Sequence, residues 1–530
     1  MNKTKKIIIC SLIVFVGGLC VYLPLLGSYG LFDPWETHYS EVSRSMIQQD
    51  DYISTFWQDN GFFSKPVLTF WMQATGMKIA GLNQDNSSPG EMALSSKPEW
   101  ATRLPVVILA IFALMAVFIF VATYFSISAG FFSAAVLALT PHFALIARQT
   151  ITDMPFLALM SIAMIFFITA MQGEDQKPPH LFNFKVKSLN FKINLAHLAA
   201  IWLLLLALPQ YFLFSSDISA SVTFFKKRIT FSGYLVFLPY LILIGDILLG
   251  YITGKTSYRK IMTNIGFSFI ALGILAKGFG ALFIPGVIFF IYFLVEGEWE
   301  KVDRFDLLRG IFIIAAISFP WHHAMIIRHG GAFYQEYFVH HHFKRAAVGV
   351  HGERGVFTYY LKQLTFGLLP FLPIIPGIIL NLFGKSPQNR DKSRKSLIHL
   401  LLIWLLTSFF LFSFMLTKFH HYILPFTAPF SILAGIYLAK LSSNKLGLSP
   451  KSFYFSLVAG LVLLIFAVRE LFLDPAHIVN LFVYKYERLF PYELNLSWGI
   501  AFFSVPLFLA TILYFFRQNK KAVVVYLFAA

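Results

Sequence analysis

Three carboxylates lie just before or within the first turn of predicted helices. At such positions a carboxylate can cap the helix or take part in acid–base chemistry. Asp33, Pro34 and Glu36 have the order of a capping box, with Asp33 as the cap, Pro34 at the first helical position and Glu36 at the third. Asp153 precedes Pro155 and a long apolar run. Capping alone would explain these side chains. The alternative is that they accept a proton from a reacting hydroxyl group, as carboxylate general bases do.

Three lysines lie at the ends of apolar segments: Lys65, Lys277 and Lys418. A cation at a helix N-terminus opposes the helix dipole, so the position of Lys65 needs another reason. An anion held jointly by Lys65 and the free backbone N–H groups supplies one. A lysine whose long side chain reaches the membrane interface is the alternative. Cations and carboxylates of this kind together favour one pocket for a lipid phosphate.

Histidines are concentrated in a segment that begins near residue 322. They are His322, His323, His329, His340, His341, His342 and His351. A zinc site needs three or four converging ligands, and the consecutive residues 340–342 are not expected to point all one way. Polar loop contacts or phosphate contacts are therefore predicted, with Arg345 and Arg354 as further phosphate ligands and a metal as the minor alternative.

The composition indicates which elements must position these residues. Of 530 residues, 57% are hydrophobic and 13% are charged, against about 45–50% and about 25% in soluble domains. A polytopic membrane protein is therefore predicted. The net charge of +17 would suggest nucleic acid as a partner of a soluble chain. Here the basic residues concentrate in every second connection, as the positive-inside rule expects, and no nucleic-acid partner is predicted.

Long apolar runs predict about fourteen membrane helices. The first, near residues 7–26, follows three lysines and is expected to be an uncleaved anchor that starts in the cytoplasm. The others lie near residues 104–126, 130–147, 155–171, 197–214, 232–250, 262–276, 279–295, 308–325, 364–382, 398–416, 423–440, 452–468 and 496–516. The basic stretch Lys226–Arg228 falls on the outer side, so one span between 197 and 276 is expected to be re-entrant or miscounted.

The candidate carboxylates and lysines all fall on the outer side of this topology. Two outer connections are long, residues 31–103 and residues 326–363, and connections of this length are usually functional when they are not disordered. The helix after Asp33 carries Tyr39, Val42 and Met46 on one face and is predicted to lie at the membrane surface.

An enzyme and a carrier are both compatible with an outer phosphate pocket. A carrier or polymerase of lipid-linked saccharides is the alternative, but no internal repeat is visible and charges are scarce at the span centres, with Asp246 as the main exception. An enzyme is therefore favoured. Glycosyl transfer from a lipid phosphate requires a carboxylate to activate the acceptor and cations to stabilise the departing phosphate.

Six motifs in a fixed order carry a family resemblance. They are Leu31–Tyr39, Ser64-Lys65-Pro66 before Phe70-Trp71, Glu99–Pro105, Ala147–Pro155, Lys277-Gly278 with Pro320-Trp321, and Lys418 with Tyr422–Pro425. Over about residues 7–440 the chain resembles the bacterial aminoarabinose transferases of lipid A and their protein O-mannosyltransferase relatives.

The resemblance implies a GT-C fold, an all-α integral membrane bundle of about 12 to 14 transmembrane helices with amphipathic juxtamembrane helices in the first outer loop. Residues 1–440 would form the catalytic region and residues 441–530 a divergent C-terminal membrane region. By the same resemblance Glu36 and Asp153 are acidic catalytic residues and Lys65 holds the donor phosphate.

The chain departs from the family pattern in the first motif. Where the family usually has Asp-Glu followed by Thr-Arg, this chain has Trp35-Glu36, with His38 in place of the Arg. Asp33 or Glu36 then substitutes for the missing base, and His38 supplies a weaker, pH-dependent charge. Ser64 stands where the aminoarabinose transferases have Glu, which removes a possible metal ligand. No metal or other cofactor is therefore expected.

The sequence thus predicts a polyprenyl-phosphate-sugar glycosyltransferase of the plasma or inner membrane, with its active site on the outer, periplasmic face. The expected partners are a polyprenyl-phosphate sugar as donor, membrane lipids, and a lipid, glycan or protein as acceptor, whereas the sugar, the acceptor and the oligomeric state stay open. The predicted catalytic residues are Asp33, Glu36 and Asp153. The predicted phosphate-binding residues are Lys65, His38, Lys277, Lys418 and Tyr422.

Overall fold

The computed structural model describes residues 3–82, 97–173, 175–186, 189–344, 357–383, 392–473, 497–516 and 519–529. Most of this part of the chain is helical, and the predicted all-α membrane architecture is confirmed. Of the residues singled out in the sequence, Arg345, His351 and Arg354 lie outside the described ranges.

The described residues up to Asp217 form eight helices. They are α1 (Lys3–Tyr22), α2 (Trp35–Gln49), α3 (Leu68–Ile79), α4 (Lys97–Tyr124), α5 (Ile127–Leu139), α6 (Pro141–Ala147), α7 (Asp153–Gln172) and α8 (Leu195–Asp217). The short helices α2 and α3 both lie in the first long connection, residues 31–103. The helix expected after Lys65 is α3, which begins at Leu68.

The described residues after Asp217 contain eleven further α-helices. They are α9 (Gly233–Ile252), α10 (Tyr258–Lys277), α11 (Gly280–Glu296), α12 (Leu307–Phe333), α13 (Tyr359–Gly367), α14 (Ile375–Phe383), α15 (Lys392–Phe414), α16 (Thr427–Ser442), α17 (Pro450–Leu473), α18 (Ser497–Phe515) and α19 (Asn519–Ala529). Three 3₁₀ segments cover Trp299–Phe305, Leu369–Ile374 and His420–Phe426, and a π-helix covers Tyr334–Lys344.

Every predicted apolar run coincides with a helix or with a pair of bent helices. Within the described residues, ten helices are long and apolar enough to cross a membrane, or up to twelve if each bent pair is one span. The helices α8, α9 and α10 all pass this test. All three predicted apolar runs between residues 197 and 276 are therefore long helices, and the re-entrant or miscounted span stays a prediction.

Proline explains the two bent pairs. Helices α5 and α6 meet at 68°, and Thr140, directly before Pro141, has an extended backbone with φ −64° and ψ 116°. The residue before a proline is driven out of the helical region by contact with the proline ring. The second pair, Tyr359–Gly367 and Leu369–Phe383, is bent by 95°, and Pro370 stands at the start of its second arm.

Within the described residues, three short antiparallel hairpins interrupt the helical structure. Their strands are β1 (Phe56–Trp57) with β2 (Asn60–Gly61), β3 (His180–Val186) with β4 (Leu189–Asn194), and β5 (Ser219–Phe224) with β6 (Lys227–Ser232). In the third hairpin Ser219 pairs with Ser232 and Phe224 with Lys227, so Phe225 and Lys226 form the turn. The basic stretch Lys226–Arg228 therefore lies at the exposed end of this hairpin, across the turn and the start of β6.

The chain folds as two compact units. Unit 1 comprises residues 1–37, 106–154 and 349–530, and unit 2 comprises residues 38–105 and 155–348. In unit 1 the helices α5 and α16 approach so closely that a Cβ on Gly435 would lie 2.1 Å from Ser133 Oγ. In unit 2 the same holds for α3 and α4, where a Cβ on Gly76 would lie 2.0 Å from the carbonyl oxygen of Ala101. Small residues of this kind allow helix backbones to pack together inside a membrane.

The described part of the second long connection is more regular than the sequence suggests. Residues 326–363 were expected to form a His-rich loop, but α12, which is kinked at Gly330, extends to Phe333, and the π-helix begins at the next residue. The histidines of this segment that α12 carries have separate partners. His322 lies 3.2 Å from the Tyr337 hydroxyl, His323 lies 2.9 Å from that of Tyr240, and His329 lies 2.9 Å from that of Ser54.

Candidate functional site

Glu36 ties the first outer connection to the segment that precedes α7. Helix α2 begins at Trp35, and Glu36 in its first turn is buried. The backbone N–H of Phe32 donates to Glu36 Oε2 at 2.9 Å, and the N–H of Thr150 donates to Glu36 Oε1 at 2.8 Å. Both carboxylate oxygens thus accept backbone hydrogen bonds. These contacts favour a positioning role for Glu36.

Asp33 occupies a different environment. It is exposed, and its Oδ1 accepts a hydrogen bond from the Thr37 hydroxyl, one turn further along the chain. The capping box differs from the expected one in two details. The carboxylate of Glu36 accepts the N–H of Phe32 rather than that of Asp33, and α2 begins at Trp35, directly after Pro34. Of the two carboxylates in this motif, Asp33 is the one that is exposed to solvent.

Asp153 is the first residue of α7 and is 7% exposed. Its Oδ1 lies 3.5 Å from Nε2 of His421, which is also buried. A carboxylate and an imidazole that face one another in this way have the side-chain types of an acid–base pair. His421 follows Lys418 by three residues, but no local pattern in the sequence indicates that it contacts Asp153.

An aromatic wall adjoins this pair. The ring of Phe419 stacks on the ring of His421, with centroids 5.4 Å apart and an interplanar angle of 13°. Trp35 meets Phe419 edge-on at 6.2 Å, and Tyr422 does so at 5.3 Å. Trp35, which stands where the family usually has Asp, thus contacts the wall beside Asp153. Tyr422 belongs to the same wall.

Lys418 is engaged with backbone carbonyls. It is buried, and its Nζ donates to the carbonyl oxygens of Ser413 and Met415, each at 2.7 Å, and of Phe412 at 3.3 Å. A lysine commonly binds the last carbonyls of a helix in this way and complements its dipole. Burial lowers the pKa of Lys418. Its three N–H groups thus have three carbonyl acceptors that cap α15, and its direct phosphate contact stays a prediction.

The remaining predicted phosphate ligands belong to unit 2. Lys65 lies just before α3 and is half-buried, and Val67, the cap residue of that helix, provides no side-chain hydrogen bond. Lys277 ends α10 and lies 5.5 Å from the ring of Phe156. His38 packs against Trp57 with ring centroids 4.4 Å apart. Lys65 and Lys277 therefore keep the positions at helix ends that the sequence indicated.

An open cavity of about 440 Å³ lies in unit 1, between the segment that follows α1 and the helix α6. Its wall includes Leu25, Tyr29, Phe32 and Leu145, together with Arg148. The Arg148 guanidinium donates to the carbonyl oxygen of Pro24 at 2.6 Å, which fixes the charge at the edge of an apolar wall. An apolar cavity with one cation suits a ligand with a hydrocarbon part and an anionic group.

Comparison with known proteins agrees with this architecture. Residues 90–244 match the family model described as dolichyl-phosphate-mannose-protein mannosyltransferase. With 19% sequence identity and a TM-score of 0.63, the structure is similar to the crystal structure of ArnT from Cupriavidus metallidurans bound to undecaprenyl phosphate; the match covers 98% of this chain and 74% of that one. The chain has the GT-C fold of ArnT. The resemblance and the fold class inferred from the sequence are confirmed.

Curated relatives of this GT-C chain carry the name undecaprenyl phosphate-alpha-4-amino-4-deoxy-L-arabinose arabinosyl transferase. The Edwardsiella ictaluri protein is 32% identical over 174 residues, which is 33% of this chain and 30% of that protein. The Pseudomonas aeruginosa protein (strain LESB58) is 23% identical over 80% of this chain, which spans 59% of its relative. The Shewanella sediminis protein is 24% identical over 89% of this chain and 68% of the relative.

Proposed function

We propose that this chain is a glycosyltransferase that moves a sugar from a polyprenyl-phosphate donor to an acceptor hydroxyl or phosphate. The observation that carries the proposal is the buried pair Asp153–His421 at the start of α7, with an Oδ1–Nε2 separation of 3.5 Å. The GT-C fold and the names of the relatives, all of them transferases that use undecaprenyl phosphate, support it.

In the proposed reaction an acceptor oxygen attacks the anomeric carbon of the donor. The new bond between the acceptor oxygen and that carbon forms as the bond from the carbon to the phosphate oxygen breaks, with inversion in a single displacement. The phosphate leaves with the electron pair and, because its pKa is low, needs no dedicated acid. Asp153 takes the acceptor proton, and His421 stabilises the carboxylate before the transfer and holds its orientation.

The other predicted catalytic residues have different parts in this proposal. Asp33 is exposed and binds the approaching acceptor, whereas Glu36 holds the segment around Thr150 in place through its two backbone hydrogen bonds. Since Thr150 precedes Asp153 by three residues, this contact fixes the backbone from which the base projects.

The donor phosphate requires cations. We assign this task to Lys65 and Lys277, with His38 as the weaker third charge, because both lysines stand at helix ends and are only partly buried. Lys418 and Tyr422 shape the wall beside Asp153, Lys418 by its cap on α15 and Tyr422 by its ring contacts. Positioned cations of this kind stabilise the charge that develops on a departing phosphate.

The location follows from the predicted topology. Ten or more apolar helices make the chain a multi-pass membrane protein. We place it in the plasma or inner membrane, with a cytoplasmic N-terminus and the site on the outer, periplasmic face, because the basic connections then lie inside. The donor is a polyprenyl-phosphate pentose or hexose, and the acceptor is a lipid, a glycan or a protein.

The deciding experiment uses the full-length protein in detergent with undecaprenyl-phosphate-linked aminoarabinose, other polyprenyl-phosphate sugars and an extract of candidate acceptors. Release of undecaprenyl phosphate that depends on the acceptor is the expected result. Asp153→Asn is expected to lower the rate by about 10²–10⁴-fold. Asp59→Asn is the matched control, because Asp59 is an exposed carboxylate in the turn between β1 and β2.

Two results would contradict the proposal. Normal release by a well-folded Asp153→Asn variant would exclude Asp153 as the base. No release from any donor, together with movement of labelled lipid across liposomes that contain the protein, would identify a carrier instead.

A further inference from the structure

Three side chains with metal-binding groups converge on the π-helix Tyr334–Lys344. The carboxylate oxygen Oε1 of Glu336 lies 2.9 Å from Nε2 of His341 and 3.9 Å from Nδ1 of His340. All three ligand atoms lie within 4.8 Å of one another. This cluster was not expected, since consecutive histidines normally point in different directions.

The π-helix explains the convergence. In an α-helix, residues five apart are turned about 140° from one another around the axis, so Glu336 and His341 would lie on different faces. A π-helix has hydrogen bonds between residues five apart, which places such residues one above the other. His340 and His341 then flank the direction of Glu336. The wider helix therefore turns two neighbouring histidines toward one carboxylate.

From this geometry we propose that Glu336, His340 and His341 bind a divalent transition-metal ion, with Zn²⁺ as the preferred occupant. Two imidazoles and one carboxylate are a ligand set that Zn²⁺ takes readily, and a fourth position stays open for water or another oxygen ligand. Ligand bonds of about 2.0–2.1 Å put neighbouring ligand atoms about 3.4 Å apart in a tetrahedral site. The observed separations of 2.9 and 3.9 Å lie on either side of that value.

The state of His340 supports a missing ligand. Its Nδ1 is shielded from solvent and has no hydrogen-bond partner, although it faces the Glu336 carboxylate. A buried nitrogen without a partner is costly, and a metal bond would satisfy it. The cluster is nevertheless accessible to an ion, because the side chains of Glu336, His340 and His341 are 48%, 39% and 13% exposed.

The helix that carries the cluster is anchored by aromatic contacts. Tyr337, which follows Glu336, is fully buried, stacks on Phe333 at 5.1 Å and lies with its hydroxyl 3.2 Å from His322. Phe338 packs against Phe279 at 6.2 Å, just beyond the end of α10. The ligands therefore project from a segment whose position is fixed, which lowers the ordering cost of metal binding.

The site is independent of the proposed transferase activity and can be tested without it. Full-length protein in detergent, with any affinity tag removed, is stripped with a chelator and titrated with Zn²⁺ by calorimetry. Separately, Co²⁺ is added and its visible spectrum recorded. Near-stoichiometric Zn²⁺ binding and the intense absorption of tetrahedral Co²⁺ are expected.

Single variants identify the ligands. Loss of a second-shell partner already lowers metal affinity by about 10–100-fold, so Glu336→Gln, His340→Ala and His341→Ala are each expected to lower it by at least about tenfold. His180→Ala is the matched control, since His180 is an exposed histidine on β3 and should leave binding unchanged. The melting temperature of each metal-free protein verifies that it is folded. If a histidine variant melts at a lower temperature than wild type, the test rests on Glu336→Gln, which is the smallest of the three changes.

Two outcomes would overturn the site. If the wild-type protein binds no more Zn²⁺ than His341→Ala, the contact between Glu336 and His341 is a hydrogen bond and not a metal site. Binding that survives in all three ligand variants but falls in His180→Ala would place the ion elsewhere.

Discussion

Glu36 and Thr150 are far apart in the sequence but are joined by a 2.8 Å hydrogen bond from the Thr150 backbone N–H to Glu36 Oε1. The second oxygen of the same carboxylate accepts the N–H of Phe32. One buried side chain thereby fixes two segments of unit 1, the turn before α2 and the segment before α7. The geometry at Asp153 depends on this contact because the segment leads directly into α7.

Glu36→Gln is expected to destabilise the protein. Glutamine keeps one acceptor oxygen but turns an NH₂ group toward one of the two backbone N–H groups, so that one buried donor loses its acceptor. The free energy of unfolding should fall by about 1–3 kcal/mol. Thermal melting in detergent measures the change, with Glu41→Gln, a partly exposed residue on the same helix, as control. An unchanged melting temperature with abolished transfer would instead give Glu36 a direct part in the chemistry.

Asp153 and His421 are expected to act as one unit. If His421 works only through Asp153, then Asp153→Asn, His421→Asn and the double variant should have similar residual rates, because either change removes the same interaction. Rates of undecaprenyl phosphate release for the four proteins give the coupling free energy. Losses that multiply in the double variant would mean that the two residues act independently.

The Arg328–Asp51 pair holds the first outer connection to α12 and predicts a pH dependence. Arg328 Nη1 lies 2.8 and 2.9 Å from the two Asp51 oxygens, and Arg328 Nη2 lies 3.6 Å from an oxygen of Asp217. Burial opposes ionisation of Asp51, but the N–H groups of Ile53 and Ser54 together with Arg328 outweigh it and lower the pKa of Asp51. A lowered folded-state pKa contributes stability above the unfolded value of about 3.9, and this contribution is lost as the pH falls through the folded value.

Arg328→Met should therefore lower the melting temperature at pH 7, corresponding to about 1–3 kcal/mol. The difference from wild type should shrink as the pH falls below about 4 and Asp51 loses its charge, since its lowered folded-state pKa lies under the unfolded value. Melting curves across this range test the sign. Arg44→Met is the control, because the pair Arg44–Glu41 is more exposed and is expected to contribute at most about 1 kcal/mol. A difference that stays constant with pH would mean that Arg328 acts by packing alone.

Much of this fold could be predicted from the sequence because the signals are local. A run of about 20 apolar residues must be helical in a membrane, and each predicted run coincides with a helix or bent pair. The start of α7 at Asp153 and of α3 shortly after Lys65 followed from the same patterns. The hairpin turn at Phe225-Lys226 was not predicted, because its basic residues were interpreted only as a charged connection between two spans.

The site was less predictable because its contacts are between distant segments. No local pattern joins His421 to Asp153 or the Glu36 carboxylate to Thr150. The position of Lys418 at a helix end suggested a phosphate ligand, and only the structure shows the carbonyl oxygens that accept its hydrogen bonds. The π-helix was equally hidden, because a hydrophobic pattern does not distinguish it from an α-helix or a loop over eleven residues.

Lys418→Met separates two roles for this lysine. A helix cap predicts a lower melting temperature, by about 1–2 kcal/mol of unfolding free energy, because three carbonyl oxygens at the end of α15 lose their donor. The KM for the donor should then stay close to that of wild type in the protein that remains folded. A raised KM with an unchanged melting temperature would restore Lys418 as a direct phosphate ligand.

The contact of α5 with α16 is expected to tolerate no added methyl group. A Cβ on Gly435 would lie 2.1 Å from Oγ and 2.3 Å from the backbone nitrogen of Ser133, so that backbone as well as side chain must shift. Gly435→Ala should lower the free energy of unfolding by about 1–3 kcal/mol. Gly286→Ala on α11 is the matched control, because nothing lies within 4 Å of the added atom there. Equal melting temperatures for the two variants would mean that the two helices are free to separate at Gly435, and the tight packing of unit 1 around α16 would then be wrong.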